Sequence, residues 1–281
     1  MKRILSLALA AILLCGSVFA LAACGKSDPS KQLVVATNAN FAPFEYKEGN
    51  KFAGIDMEIA KYIADKLGME LVIEDMDFDA VVTSVGKNNV DVAMAGLTVN
   101  EKRKESVDFT ASYYNAAQML IVPADNTDFD DCTTAEQVLA KLDELKGASD
   151  IKIGVQSGTT GQYFVDGDAD WEFDGIDGYA SKGYQNGGLA VNDMKNGAVA
   201  YVMIDEQPAK QLAKAISGIK VIDISLTEEE YAFGVDKAQP ELLQQINTIL
   251  AEMKADGTLD AIVAAYATGE GIKPVTSGTK K

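Results

Sequence analysis

Histidine is absent from all 281 residues. That absence removes Ser–His–Asp and Cys–His nucleophilic catalysis and histidine-ligated metal sites together. Cysteine is nearly as scarce, with three positions. Cys15 lies in an N-terminal segment expected to be removed, and Cys24 at its end is expected to be modified. Cys132 is then the sole free thiol, and no internal disulfide can form. Cations are also in short supply: 25 Lys and Arg stand against 42 Asp and Glu, a net charge of −17, or −19 once Lys2 and Arg3 are lost. Binding to phosphate backbones needs clustered cations, so nucleic acid is an unsuitable partner. A hydrophobic content of 47% nevertheless describes a folded, soluble chain large enough for one large or two modest domains.

The first residues read as a targeting segment. Met1-Lys2-Arg3 is a positive start, and Ile4 to Ala20 is an apolar run short for a membrane span. Leu21-Ala22-Ala23-Cys24 closes it and resembles the lipobox of bacterial lipoproteins. That resemblance implies cleavage after residue 23 and a diacylglyceryl group on Cys24, which is enough for stable membrane anchoring. Residues 24–31 are polar and proline-punctuated, as a tether would be. Residues 269–281 lack apolar periodicity and are expected to be a flexible tail.

Between these ends, short apolar strands alternate with amphipathic helices, which is the pattern of α/β architecture. The first strand is Leu33 to Ala36, followed by a loop carrying Asn38, Phe41 and Phe44. Ile55, Ile59, Tyr62, Ile63 and Leu67 share one helical face that Gly68 ends. Asp56 and Glu58 fall in its first turn and suit the helix dipole; no chemistry is assigned to them. Phe78 opens a second helix, and a buried strand over 90–94 runs into Ala95-Gly96-Leu97-Thr98-Val99-Asn100-Glu101-Lys102-Arg103. Thr98 and Glu101 have capping-box spacing, so the chain here turns into a helix start suited to an anion. Arg103 adds a planar fork of donors fit for a carboxylate, unless it is simply solvated.

A similar turn recurs downstream. Gln156-Ser157-Gly158-Thr159-Thr160-Gly161 follows the strand beginning at Ile151 and precedes a helix through Tyr163. It lacks the lysine of a P-loop, and ordinary Gly/Thr helix entry explains it equally well. Asp205 ends the strand 199–204, where α/β sheets bind ligands, although an N-cap would also place an acid there. Asp166, Asp168, Asp170 and Asp177 have some of the spacing of a calcium loop. However, Trp171 occupies the glycine position and Asp177 the closing Glu position, so a solvated acidic loop without metal is expected.

Gly54-Ile55-Asp56-Met57-Glu58-Ile59, with Ile63, Ala64 and Leu67 in phase, resembles the signature of the family 3 extracellular solute-binding proteins that feed ATP-driven importers. The order Phe41-Ala42-Pro43-Phe44-Glu45, then 95–103, then Ser157-Gly158-Thr159, then Asp205, fits the same family over about residues 33–267. The resemblance implies a type II periplasmic-binding-protein fold: two α/β lobes joined by two crossing strands, with a ligand cleft between them. Lobe one would be 31–116 plus 226–268 and lobe two 117–225, with crossings near 115–118 and 222–227. It further implies that Arg103 clamps an amino-acid carboxylate with the help of Thr98 and Thr160. Asp205 would take the ammonium with Gly96 and Thr98, and Phe41 and Phe78 would sandwich the ligand.

Asn38 stands where several relatives carry an acid, and Gln156 where one carries lysine, so the side-chain end is neutral. With no carboxylate other than Asp205 evident, a neutral polar amino acid is expected. The expected role is a monomeric, cofactor-free receptor for an ABC-importer permease, not an enzyme. The alternatives are a dehydratase-like enzyme on the same scaffold and a ligand-sensing surface module.

Overall fold

The computed structural model describes residues 31–147 and 151–280. The leader, the lipobox and Cys24 lie outside the described residues. The first strand, β1 (Gln32–Thr37), is buried along its whole length, as a strand covered on both faces should be. A small antiparallel meander follows: β2 (Asn40–Phe41), β3 (Glu45–Glu48) and β4 (Lys51–Ala53). Helix α1 (Ile55–Leu67) starts at Gly54, whose φ of 130° and 2.0 Å approach of a hypothetical Cβ to the Phe44 carbonyl admit only glycine. The first lobe continues with β5 (Glu70–Asp75), α2 (Phe78–Ser84), β6 (Val92–Ala93), a single-turn α3 (Glu101–Lys104) and β7 (Val107–Phe109).

β8 (Tyr114–Ala116) leads into the second lobe, which begins with β9 (Gln118–Pro123). It contains α4 (Ala135–Leu145), β10 (Ile151–Gln156), α5 (Thr160–Asp166), β11 (Tyr179–Tyr184) and α6 (Gly187–Lys195). It closes with β12 (Tyr201–Asp205), α7 (Glu206–Ala215) and β13 (Ile219–Ile222). β14 (Glu229–Tyr231) returns the chain to β15 (Gly234–Asp236) in the first sheet, and α8 (Pro240–Ala255) and α9 (Thr258–Thr268) follow.

The two lobes share one plan. The sheet of lobe one runs β5–β1–β6–β15–β7 and that of lobe two β11–β10–β12–β9–β13. In each, three parallel strands are followed by one antiparallel strand and then by a fourth strand parallel to the first three. This is the two-lobed α/β architecture of type II periplasmic-binding proteins. The crossing is an antiparallel ribbon, Tyr114–Ala116 against Glu229–Tyr231. Leu226 N and Thr227 Oγ1 also bond Gln118. The return crossing therefore occupies 226–231, a few residues beyond the 222–227 read from sequence, because the pairing partner of residues 114–118 decides its place.

Two expectations need correction. Residues 269–280 are not a loose tail. Val275 pairs with Phe52, Gly278 N donates to Leu71 O, Ile73 N donates to Ser277 Oγ, and Gln32 reaches Thr279 O. A polar Ser/Thr/Gly segment needs no apolar periodicity to satisfy the open edge of β5. Second, Asp56 and Glu58 do lie in the first turn of α1, but they are buried hydrogen-bond acceptors, a role not assigned to them from sequence. Glu58 Oε1 accepts from Tyr266 OH at 2.7 Å and Lys273 N at 2.6 Å, tying α1 to α9 and the C-terminal segment. Asp56 accepts from Gly96 N at 3.0 Å and Tyr113 OH at 2.5 Å, tying α1 to the loop after β6.

Asp56 also lies against Glu45, and both carboxyls are fully buried. Among the described residues, neither Glu45 oxygen meets an N–H or O–H donor, so the pair is satisfied when Glu45 carries a proton and donates it to Asp56. Burial, then the charge of Asp56, pushes Glu45 well above the usual carboxylate range, and burial pushes Asp56 up to about 7. The native chain thus holds protons that the unfolded chain releases near pH 4, and this contribution to stability fades as pH rises through neutrality. Glu45→Gln, whose amide can donate the same bond, should gain stability relative to the parent by about 1–3 kcal/mol between pH 5 and pH 8 in urea unfolding. An equal difference at both pH values would contradict a shared proton.

Candidate functional site

The loops at the C-terminal ends of β1, β6, β10 and β12 face one another across the crossing ribbon, where open α/β sheets bind ligands. They enclose a small cavity lined by Phe41, Phe78, Gly96, Thr98, Arg103, Thr159, Thr160 and Asp205. Seven of the nine side chains singled out from sequence line it. The other two, Asn38 and Gln156, are buried beside it and bond each other across the cleft, Gln156 Nε2 donating to Asn38 Oδ1 at 3.0 Å.

Lobe one supplies the cation. Arg103 is the only arginine after Arg3, and it is 8% exposed. Its guanidinium donates to two neutral carbonyls, Thr98 O at 2.8 Å and Gly158 O at 3.4 Å. Its planar group lies 5.4 Å from the Phe78 ring and 4.9 Å from the Trp171 ring. Burial lowers its pKa to about 10, so it remains charged at neutral pH. The cap of α3 is Asn100, whose side chain accepts from Arg103 N at 2.7 Å; Thr98 does not cap the helix. With four residues in α3 and seven in α5, helix dipoles are weak here, and the Arg103 side chain dominates the positive field.

Gly96 sits at φ +54, and a Cβ there would lie 3.0 Å from the Phe41 ring. Glycine lets Phe41 pack against the backbone that forms the cavity floor.

Lobe two supplies the anion. Asp205 stands at the N-cap position of α7 but makes no cap bond. Its carboxylate instead accepts from Tyr231 OH, and the neighbouring Gln118 side chain favours its charged form. Burial, then the neighbouring Glu229 carboxylate, pushes its pKa up to about 7.

Two residues of this site went unread in the sequence. Glu229, on β14, is buried and accepts from Thr98 Oγ1 at 2.6 Å, Gln118 Nε2 at 3.0 Å and Thr227 Oγ1 at 2.7 Å. It is a second carboxylate at the cleft, so Asp205 is not alone there. Trp171 lies in the acidic loop of lobe two, stacked between Tyr163 and Arg103. The loop's acids have protein partners: Asp166 with Ser181, Asp168 with Asp170 N, Asp170 with Lys102 and Asp177 with Lys146.

Hydrogen bonds that cross the cleft include Asn38–Gln156, Arg103–Gly158, and Thr160 Oγ1 donating to Thr98 Oγ1 at 3.0 Å. The Lys102–Asp170 ion pair at 3.5 Å is exposed and screened.

Residues 33–269 match the bacterial extracellular solute-binding proteins, family 3. The chain belongs to that family. It is 30% identical over 278 residues to the arginine-binding extracellular protein ArtP of Bacillus subtilis (strain 168), covering 96% of this chain and all of the relative. Among solved structures, an ancestral arginine-binding protein bound to arginine superposes with TM-score 0.70 at 34% identity, over 84% of this chain and 98% of that one. The structure described as the same kind of protein bound to glutamine gives 0.69 at 33%, over 84% and 97%. The ancestral amino acid-binding protein AncCDT-1, described as a precursor of cyclohexadienyl dehydratase, gives 0.71 at 27%, over 84% and 96%.

Trp171 is the only tryptophan of this family 3 chain, so its emission reports one contact. Arg103→Ala should shift that emission to longer wavelength and increase its quenching by acrylamide. Unchanged emission in a folded variant would show that the stacking does not persist in solution.

Proposed function

We propose that this chain is an extracytoplasmic receptor that closes by a hinge motion on a free α-amino acid and delivers it to an ABC-type importer. In this reading it is anchored through a lipid on Cys24 and works as a monomer. One observation carries the proposal: a buried cation and a buried anion, Arg103 and Asp205, line one small cavity from opposite lobes, and the groups bonded to each are uncharged. An α-amino acid carries the two opposite charges that this arrangement lacks. Its carboxylate pairs with Arg103 and its ammonium with Asp205, while Phe41 and Phe78 cover its carbon atoms.

The ribbon of β8 and β14 is the hinge. The neutral contacts across the cleft each contribute about 0.5–1.5 kcal/mol net, so the ligand's charges supply much of the closing energy. We assign a neutral polar side chain, of the asparagine or glutamine kind. Asn38 and Gln156 are amides, and Gln156 Oε1 is buried without a partner among the described residues, an acceptor suited to a ligand N–H. Glu229 does not alter this, because three protein donors already satisfy it.

A dehydratase-like enzyme is the second reading. Asp205, pushed up to about 7 beside Glu229, has the proton affinity of an acid–base group. Steady turnover of prephenate or arogenate would establish it.

A thermal-shift screen against the twenty proteinogenic L-amino acids and cystine tests the receptor reading. A ligand at about 100 times its Kd should raise Tm by roughly 5–10 °C. Neutral polar side chains should lead, and Arg103→Lys and Asp205→Asn should weaken binding by at least ~30-fold. Arginine or lysine binding tightest would overturn the specificity, and no shift with any amino acid would overturn the receptor reading.

A further inference from the structure

We infer that Glu229 is a positioning residue of the cleft. By taking up the hydroxyl proton of Thr98, it turns that oxygen into an acceptor for the ligand's α-ammonium group. The inference rests on the reading that the cleft takes an α-amino acid with its ammonium at Asp205, and it adds the residue that makes the Thr98 oxygen an acceptor for that ammonium.

Hydroxyl protons set the direction of these bonds. A carboxylate only accepts hydrogen bonds, and a hydroxyl has one proton to give. Thr98 Oγ1 stands 2.6 Å from Glu229 Oε2, so its proton is committed there. Thr98 Oγ1 must then accept, and it does so from Thr160 Oγ1 at 3.0 Å. The result is a directed chain from lobe two (Thr160) through lobe one (Thr98) to the crossing ribbon (Glu229). Gln118 and Thr227 fix the other oxygen of Glu229, so the acceptor direction is built into the hinge itself.

Thr98 and Asp205 both line the cavity, and both present acceptors there. A carboxylate placed beside them would meet two acceptors and no donor. An ammonium, with three protons, can serve both. The ligand is therefore oriented with its amine toward the ribbon and its carboxylate toward Arg103. An α-hydroxy acid has a single proton for two acceptors, so the same site selects against it.

Glu229 also acts through space. The titratable groups facing Asp205 are Glu229 and Tyr231 from the ribbon and Arg103 and Glu45 from lobe one. Among these, Glu229 raises the proton affinity of Asp205, second only to burial. Asp205 must be ionised to hold an ammonium, so binding weakens as pH falls through its pKa. Removing the Glu229 charge should let Asp205 stay ionised to lower pH.

The test measures affinity for the tightest of the twenty L-amino acids by calorimetry from pH 5.5 to 8.5, with the purified protein, Glu229→Gln and Thr98→Val. Glu229→Gln should bind about tenfold more weakly at pH 8, and its pH midpoint should lie at least half a unit below the parent's, so that its deficit shrinks as pH falls. Thr98→Val should lose about tenfold with its midpoint unmoved. A uniform loss in Glu229→Gln at every pH would mark Glu229 as merely structural and overturn the inference, as would affinity within twofold of the parent. If the parent binds none of the twenty, the receptor reading falls and this inference falls with it.

Discussion

Arg103 and Asp205 are held out of water, in one cavity, and the groups hydrogen-bonded to each are uncharged. Uncompensated buried charges are costly, and the surrounding structure acts to lower that cost without removing it. Around Arg103 it places two carbonyls and two aromatic faces. Around Asp205 it places a phenol and an amide. Both sets stabilise a charge while leaving it able to pair. Placing the cation in lobe one and the anion in lobe two makes recognition of an amino acid and approach of the lobes a single event in the account proposed here.

Beneath the cavity a second layer holds its walls. The Gly96 backbone is fixed from below by Asp56, and Asp56 is kept in place by Tyr113 and a protonated Glu45. Tyr231 bonds Asp205 and packs edge-on to Phe44, which stacks on Phe41. Asp56 of the family signature thus serves the cleft indirectly. It fixes the loop that carries Gly96, Thr98 and Arg103 at Gly96.

Local chemistry made part of this legible from sequence. The boundaries of α4 follow from its apolar spacing, and the strand-to-turn passages at 95–103 and 156–161 from their composition. Family resemblance then ordered Phe41, Phe78, Arg103 and Asp205 around one ligand, and the structure brings these residues to one cavity. What escaped depends on contacts between distant segments. Asp56 looked like a helix-dipole residue because its partners, Gly96 and Tyr113, are 40 and 57 positions away. Glu229 went unread because it is one of three consecutive acids and nothing local shows which of them turns toward Thr98. Trp171 was set aside with a failed calcium motif, although its loop carries it across to Arg103. Residues 269–280 were misread because edge pairing by backbone leaves no periodic trace.

The central claim is that the two opposed charges of one amino acid draw the lobes together. Small-angle X-ray scattering of the purified protein, with and without its tightest-binding amino acid at saturation, tests this directly. The account predicts a smaller radius of gyration with the amino acid, and no such change in Asp205→Asn at the same concentration. Superimposable scattering from the parent protein in both conditions, at an amino-acid concentration shown to saturate it, would contradict closure as the basis of recognition.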